Sequence, residues 1–182
     1  MKFSPMKQQG FTLIELVLVL GVIALIAIAA FLVYPSVVAG TQANTESTDV
    51  TAITACVKTL YGSTGSYTGL STTTAIQGHC PPSTMVAGNY GSTTMNSVWG
   101  QLVNVAVNTN PVLFDITYSN VPTAACLKFV ADIGSNFDKV VIGSTTVKDT
   151  IAGDTQVPFS PANVITGCTA ADPAPSIIFT SR

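Results

Sequence analysis

Glu15 is a lone charged residue at the start of a long apolar segment, where a carboxylate can form an ion pair with an incoming cation. From Leu16 to Val33 the only residue without an apolar side chain is Gly21, and the next charged residue after Glu15 is Glu46. An ionised carboxylate at bilayer depth costs roughly 2.5–3.5 kcal/mol on insertion scales. We therefore expect Glu15 to have a function rather than to be tolerated by chance.

Four cysteines offer disulfide chemistry: Cys56, Cys80, Cys126 and Cys168. Their spacing is too wide for zinc-ribbon pairs, which need gaps of about two to four residues. An even number in an exported domain indicates disulfides, and three connectivities are open. We favour 56–80 and 126–168, because the first pair lies near a predicted helix end and in the loop after it, and the second pair brackets the C-terminal third. Free buried thiols are the alternative.

The remaining side chains with catalytic or metal-binding potential do not form a recognisable site. His79 lies beside Cys80 without a nearby acid, so a thiol nucleophile would lack its orienting group. The later aspartates do not have the alternating spacing of a calcium loop: Asp132, Asp138, Asp149, Asp154 and Asp172. No glycine-rich phosphate loop or paired-carboxylate motif is present in the sequence. We expect no enzymatic activity, no cofactor and no metal.

The composition is that of an exported protein with an apolar segment. Of the 182 residues, 9% are charged and 47% are apolar, whereas about a quarter of residues are charged in ordinary soluble domains. The net charge is −2 and no basic run occurs, so no nucleic-acid site is evident. Outside the apolar segment the chain is rich in Thr, Ser, Gly, Asn, Val and Ala, which suits an extracellular surface of strands and loops.

The apolar segment has several interpretations when it is taken alone. Lys2 and Lys7 precede it and predict a cytoplasmic N-terminal flank, and about 20 apolar residues are enough for a transmembrane anchor. A secretory signal peptide also fits, with an A-x-A-like site at 27–29, although the segment exceeds the usual length and contains Glu15. The third interpretation is a buried helix in the core of a soluble domain. Such a helix would be apolar on every face, and the domain is too small to surround it.

The hexapeptide from Gly10 to Glu15, Gly-Phe-Thr-Leu-Ile-Glu, resembles the processing site of type IV pilins and type II secretion pseudopilins. The resemblance implies that a prepilin peptidase cuts between Gly10 and Phe11 and methylates the new N-terminal Phe11. Cleavage creates an α-ammonium group that is charged at neutral pH. In this family Glu15 is expected to meet the Phe11 amine of a neighbouring subunit and to set the axial register. Pairing with the amine of its own chain is the alternative.

One long helix is predicted from Phe11 to about Tyr61. Its second half is amphipathic, because Val50, Ile53, Val57 and Leu60 recur at spacings of three and four. Pro35 removes a backbone hydrogen bond and, with Gly40, interrupts the pattern. Gly21 and Pro35 bracket the stretch that we expect to kink or unwind locally in a filament.

The rest of the chain predicts an antiparallel sheet. Residues 62–66 end the long helix, and residues 67–100 are predicted to be a long connection with short helical turns that closes at Trp99, which we expect to be a core anchor. Two alternating segments, 102–107 and 112–118, form a predicted hairpin, and a helix follows to about Ile133. Further strands are predicted at 140–142 and 176–180. The predicted fold class is α+β, a disulfide-bonded type IV pilin fold with the long N-terminal helix packed on the sheet.

The C-terminal part resembles the PilS-type subset of class b pilins. The similarity rests on four short motifs: Leu60-Tyr61-Gly62, Tyr67-Thr68-Gly69-Leu70, Val98-Trp99-Gly100 and Val121-Pro122-Thr123-Ala124-Ala125-Cys126. The ten-residue leader and Phe11 are closer to class a, so the subclass stays open.

We therefore expect a leader at 1–10, a membrane and filament-core helix at 11–38, and a globular head at 39–182. The resemblance implies a major pilus subunit for adhesion or cell–cell contact, including conjugation. Its expected partners are identical subunits in a helical homopolymer, the prepilin peptidase, the inner-membrane assembly machinery and, before assembly, the membrane itself. The expected location is the inner membrane and then the extracellular pilus. A pseudopilin, a minor pilin and a membrane-anchored exported binding domain are the alternatives.

Overall fold

The computed structural model describes residues 12–88, 90–170 and 175–182. It divides into two compact units, Met1–Val38 and Ala39–Arg182. The predicted cleavage pair, Gly10 and Phe11, lies outside the described residues, as do the rest of the predicted leader and Asp172.

Helix α1 (Leu13–Tyr61) runs through both units. It is continuous at Gly21, Pro35 and Gly40, so the single chain has no helix break at these positions. Proline in a helix interior removes one backbone hydrogen bond. Beside it the Ser36 hydroxyl donates to the Val33 carbonyl oxygen at 2.8 Å. Unwinding of this stretch within a filament stays a prediction.

The second half of α1 supplies one wall of the core of the Ala39–Arg182 unit. Its fully buried residues recur every three or four positions, as one face of a helix requires: Ala43, Glu46, Val50, Ile53 and Val57. Leu60, predicted to continue this stripe, is 47% exposed and lies at the last turn of the helix. Glu46 is a charged residue in this buried stripe. The stripe predicted from the sequence begins at Val50 and does not include it.

A six-stranded sheet forms the other wall, in the order β1-β2-β3-β6-β4-β5. Every pairing between these strands is antiparallel. The strands are β1 (Met95–Asn96), β2 (Leu102–Val107), β3 (Phe114–Tyr118), β4 (Lys139–Ile142), β5 (Thr145–Asp149) and β6 (Ile177–Ser181). Alternate residues of β3, Phe114, Ile116 and Tyr118, are buried, and Asp115 and Thr117 lie on the opposite face. The sheet therefore has a core face and an open face.

Three shorter helices complete the unit: α2 (Thr72–Gln77), α3 (Thr123–Ile133) and α4 (Pro161–Ala170). A short 3-10 turn, Gly134–Asn136, follows α3. The predicted hairpin, the helix ending at Ile133 and the strands near 140 and 177 are all present. The sequence-based prediction misses β1, β5 and α4.

Two disulfides tie these elements together. Cys56 of α1 is bonded to Cys80, with 5.2 Å between the Cα atoms. Cys126 of α3 is bonded to Cys168 of α4, with 5.9 Å between the Cα atoms. This is the connectivity favoured from the sequence. The α+β class, with a long N-terminal helix, an antiparallel sheet and disulfides, is confirmed.

Candidate functional site: the apolar N-terminal helix

The first part of α1 exposes a continuous apolar surface. Its large apolar residues are all exposed, from Leu13 at 83% and Phe31 at 79% to Val19 at 48%. The most apolar 18-residue window of the helix has a mean hydropathy of 3.3, and none of that window is buried. Among the described residues α1 is the one helix long and apolar enough to cross a membrane. Such a surface has to be covered by lipid or by other protein.

Glu15 lies in the first turn of α1, where the helix begins at Leu13. The Thr12 side-chain oxygen accepts a hydrogen bond from the Glu15 backbone N–H at 3.3 Å. This is one half of a capping box, and the signal Thr-x-x-Glu was present in the sequence but missed in its interpretation. A negative side chain in a first turn also interacts favourably with the helix dipole. Thr12 therefore fixes the helix start from which Glu15 projects.

The Glu15 side chain is exposed and forms no salt bridge within the described part of the chain. Its neighbours on α1 are apolar, so it is an isolated acid on a surface that must be covered. The Glu15 carboxylate can form an ion pair with one cation, whereas the rest of this surface can form only apolar contacts. The predicted cation, the Phe11 amine, lies outside the described residues.

The Ala39–Arg182 unit has its own buried acid, Glu46. Its side chain is fully buried on α1, and Oε1 accepts a hydrogen bond from the Val98 backbone N–H. Burial raises the pKa of Glu46 from 4.5 to about 7, against the opposing effects of the Val98 and Tyr118 contacts and with a small addition from Asp49. The hydrogen bond of Glu46 therefore links α1 to the segment between β1 and β2. Because its pKa is raised, the carboxyl group is partly protonated near neutral pH.

Tyr118 borders this carboxyl group, and the Trp99 ring packs edge-on against Tyr118 with 6.4 Å between ring centroids. Burial, followed by the charge of Glu46, raises the pKa of Tyr118 well above its ordinary value. Glu46 Oε2, the Tyr118 hydroxyl and Trp99 Nε1 are buried, and none has a hydrogen bond of normal geometry within the described residues. Trp99 packs edge-on against Phe129, with 5.6 Å between ring centroids. It is therefore part of the core wall, as predicted.

The other candidate residues remain dispersed. The His79 ring packs against Tyr90 at 4.0 Å between centroids. Lys139 forms salt bridges with Asp149 at 2.6 Å and with Asp154 at 3.0 Å. In the described ranges no group of three or more His, Cys, Asp or Glu side chains is arranged to hold a metal ion.

The fold defines the class of protein. The crystal structure of TcpA, a type IV pilin from Vibrio cholerae El Tor biotype, matches with a TM-score of 0.56 at 14% sequence identity. The match covers 78% of this chain and 99% of that chain. The similarity therefore shows a type IV pilin fold.

Two family models identify the family within this class of protein. A model described as PilS N terminal matches residues 40–182, and one described as a prokaryotic N-terminal methylation motif matches residues 5–31. The chain belongs to the PilS family of type IV pilins. No curated protein sequence matches it. Pilins are structural subunits, and the methylation motif implies processing by a peptidase followed by pilus assembly.

Proposed function

We propose that this chain is the major structural subunit of a type IV pilus, an extracellular filament for adhesion or cell–cell contact. The observation that carries the proposal is the exposed apolar surface of α1 between Leu13 and Val37. Burial of apolar surface stabilises association by roughly 25 cal/mol per Å². Neighbouring subunits can supply that burial once the helix leaves the membrane.

Processing is the first step of this proposal. The N-terminal methylation motif at residues 5–31 supports cleavage between Gly10 and Phe11 and methylation of Phe11. The chain would then lie in the inner membrane by its helix at 11–38 and reach the cell surface as part of the pilus. The 39–182 head would form the outer part of the filament.

Glu15 supplies the register in this proposal. An ammonium group and a carboxylate are each costly in an apolar environment and favourable as a pair. The exposed Glu15 carboxylate on an otherwise apolar surface accepts the Phe11 amine of a neighbouring subunit. Apolar contacts alone permit many axial positions, whereas one ion pair per subunit selects one.

Glu15→Gln tests the register because it keeps the size of the side chain and removes its charge. We expect normal processing and at least about a tenfold loss of filaments, since breaking one partner of a buried pair costs about 3–5 kcal/mol. Glu15→Asp is the matched control that keeps the charge, and it should restore part of the yield. Filaments are counted by negative-stain electron microscopy, and processing is followed by intact mass.

Abundant filaments from a processed Glu15→Gln chain would contradict the ion pair. Wild-type filaments in which this chain is only a trace component would contradict the major-subunit role and favour a minor pilin.

A further inference from the structure

The open face of the sheet carries a polar groove that pilus assembly by α1 does not use. The groove has a volume of about 470 Å³ and crosses β3, β6 and β4. One wall is the β2–β3 turn, with Asn108, and the other is the segment after β5, with Ala152 and Asp154. Pockets for small ligands typically have volumes of about 300–1,000 Å³. The groove is therefore large enough for a ligand of a few rings.

Strand register places the polar side chains of the groove in one row. Asp115 of β3 is opposite Thr180 of β6, and Thr180 is opposite Lys139 of β4. Thr180 Oγ1 donates to Asp115 Oδ1 at 2.6 Å, and Asn108 Nδ2 donates to Asp115 Oδ2 at 2.8 Å. Each carboxylate oxygen of Asp115 thus has one partner and can accept a further hydrogen bond. The carboxylate is held in position before any ligand arrives.

Lys139 is held in the same way. Its ammonium group bonds Asp149 and Asp154, which raise its pKa, and one of its three hydrogens is left over. Asp149 is nearly buried, with a side chain 5% exposed. The floor beside the row is apolar, formed by the cross-strand neighbours Val141 and Ile178 together with Leu113.

The chemistry of the lining selects a ligand class. Two carboxylates and one already paired ammonium line the groove, which disfavours an anionic ligand. The carboxylate, amide, hydroxyl and ammonium groups of the lining suit a ligand whose neighbouring hydroxyl groups both donate and accept hydrogen bonds. The apolar floor suits a ligand that also has an apolar C–H face. We propose that this groove binds a short, uncharged oligosaccharide, with Asp115 accepting and Asn108 and Lys139 donating hydrogen bonds.

The biological use of this site rests on the proposed function, since a sugar-binding head on a pilus subunit would serve adhesion. Binding itself does not require assembly. The test uses the full-length chain in a detergent without a sugar head group. Lactose, maltotriose and N,N′-diacetylchitobiose are titrated at up to millimolar concentration by saturation-transfer NMR, with 3′-sialyllactose as the anionic comparison.

Two variants localise the binding. Asp115→Asn keeps the size of the side chain and removes its charge, and we expect about a tenfold or greater loss of affinity. Ala152→Trp fills the groove from its exposed wall and leaves the sheet unchanged, so we expect loss of binding even if Asp115→Asn folds poorly. The matched controls are Asp132→Asn and Ala87→Trp, two exposed positions outside the groove that should bind as wild type.

Binding of at least one neutral sugar that both groove variants lose and both controls keep supports the site. Absence of binding by all three neutral sugars overturns it. Equal binding by wild type and Ala152→Trp, or tighter binding of sialyllactose than of lactose, also overturns it. Filaments are counted for the same strains. If the wild type forms normal pili but binds no sugar, the proposal of a sugar site in the groove is rejected and the proposed function is not. If the wild type forms no pili, the proposed function is rejected and the sugar site is not.

Discussion

Glu46 couples the stability of the head to pH. The pKa of its carboxyl group is about 7 in the folded chain and 4.5 when it is not perturbed, so the folded state binds the proton more tightly. The contribution of Glu46 to stability therefore falls as pH rises from 4.5 to about 7, and this contribution does not change above or below that window. At about 1.36 kcal/mol per pKa unit, the total loss is roughly 3 kcal/mol.

Glu46→Gln should remove this dependence. The amide keeps an oxygen that can accept from the Val98 N–H and carries no charge at any pH, so we expect the variant to be more stable than wild type by roughly 3 kcal/mol above the window and similar to it below. The measurement is urea denaturation of the full chain in detergent across the pH range, followed by the fluorescence of the single tryptophan, Trp99.

Asp132→Asn, an exposed acid on α3, is the matched control and should keep the wild-type profile. A wild-type stability that does not change between pH 4.5 and 7, or a parallel profile for Glu46→Gln, would contradict the assignment to Glu46.

At the scale of elements, α4 packs against β4 through a glycine. A Cβ at Gly167 would lie 2.8 Å from Ile142 Cβ and 3.1 Å from Ile142 Cγ2. Overpacking of this kind costs about 1–3 kcal/mol, and the better helix propensity of alanine recovers about 1 kcal/mol. On balance we expect Gly167→Ala to lower the free energy of unfolding by about 1 kcal/mol, the middle of the net range, measured by urea denaturation.

Gly91→Ala is the control for this contact, because a Cβ there has nothing within 4 Å. Equal free energies of unfolding for the two variants would contradict the close contact between Gly167 of α4 and Ile142 of β4.

The long elements could be predicted from the sequence because their patterns are strong. The apolar run and the stripe Val50, Ile53 and Val57 identify α1, and the alternation in β2 and β3 identifies the hairpin. The missed elements have weak patterns: β1 has only two residues, β5 is mostly polar, and α4 contains β-branched residues and a glycine, which lower helix propensity. Tertiary packing, including the Cys126–Cys168 disulfide and the Gly167 contact, defines α4.

The functional residues were predictable to different degrees. Glu15 is conspicuous because an acid in an apolar run is costly. Glu46 is not, since it lies among polar residues in the sequence and only the fold shows that it is buried. The polar groove is formed by residues from separate strands and loops, so only the strand register brings Asp115, Thr180 and Lys139 together.

At the scale of the whole molecule, two disulfides constrain the head. Cys56–Cys80 spans 24 residues and Cys126–Cys168 spans 42. Loop-closure entropy gives each bond about 3–4 kcal/mol. We expect the double variants Cys56→Ala/Cys80→Ala and Cys126→Ala/Cys168→Ala each to lose about this much stability in urea denaturation.

Peptide mapping without reductant checks the pairing in the same samples. Peptides joined as 56–168 or 56–126, or thiol labelling of the unreduced wild type, would contradict it.

We propose that this chain becomes a pilus subunit through processing of its N-terminus and exposure of an apolar helix for assembly. The most direct test is the intact mass of the protein in filaments sheared from cells. We predict the mass of residues 11–182 with one added methyl group on Phe11 and with the four cysteines oxidised in two disulfides. A filament subunit that retains Met1, or filaments that lack this chain, would contradict the account.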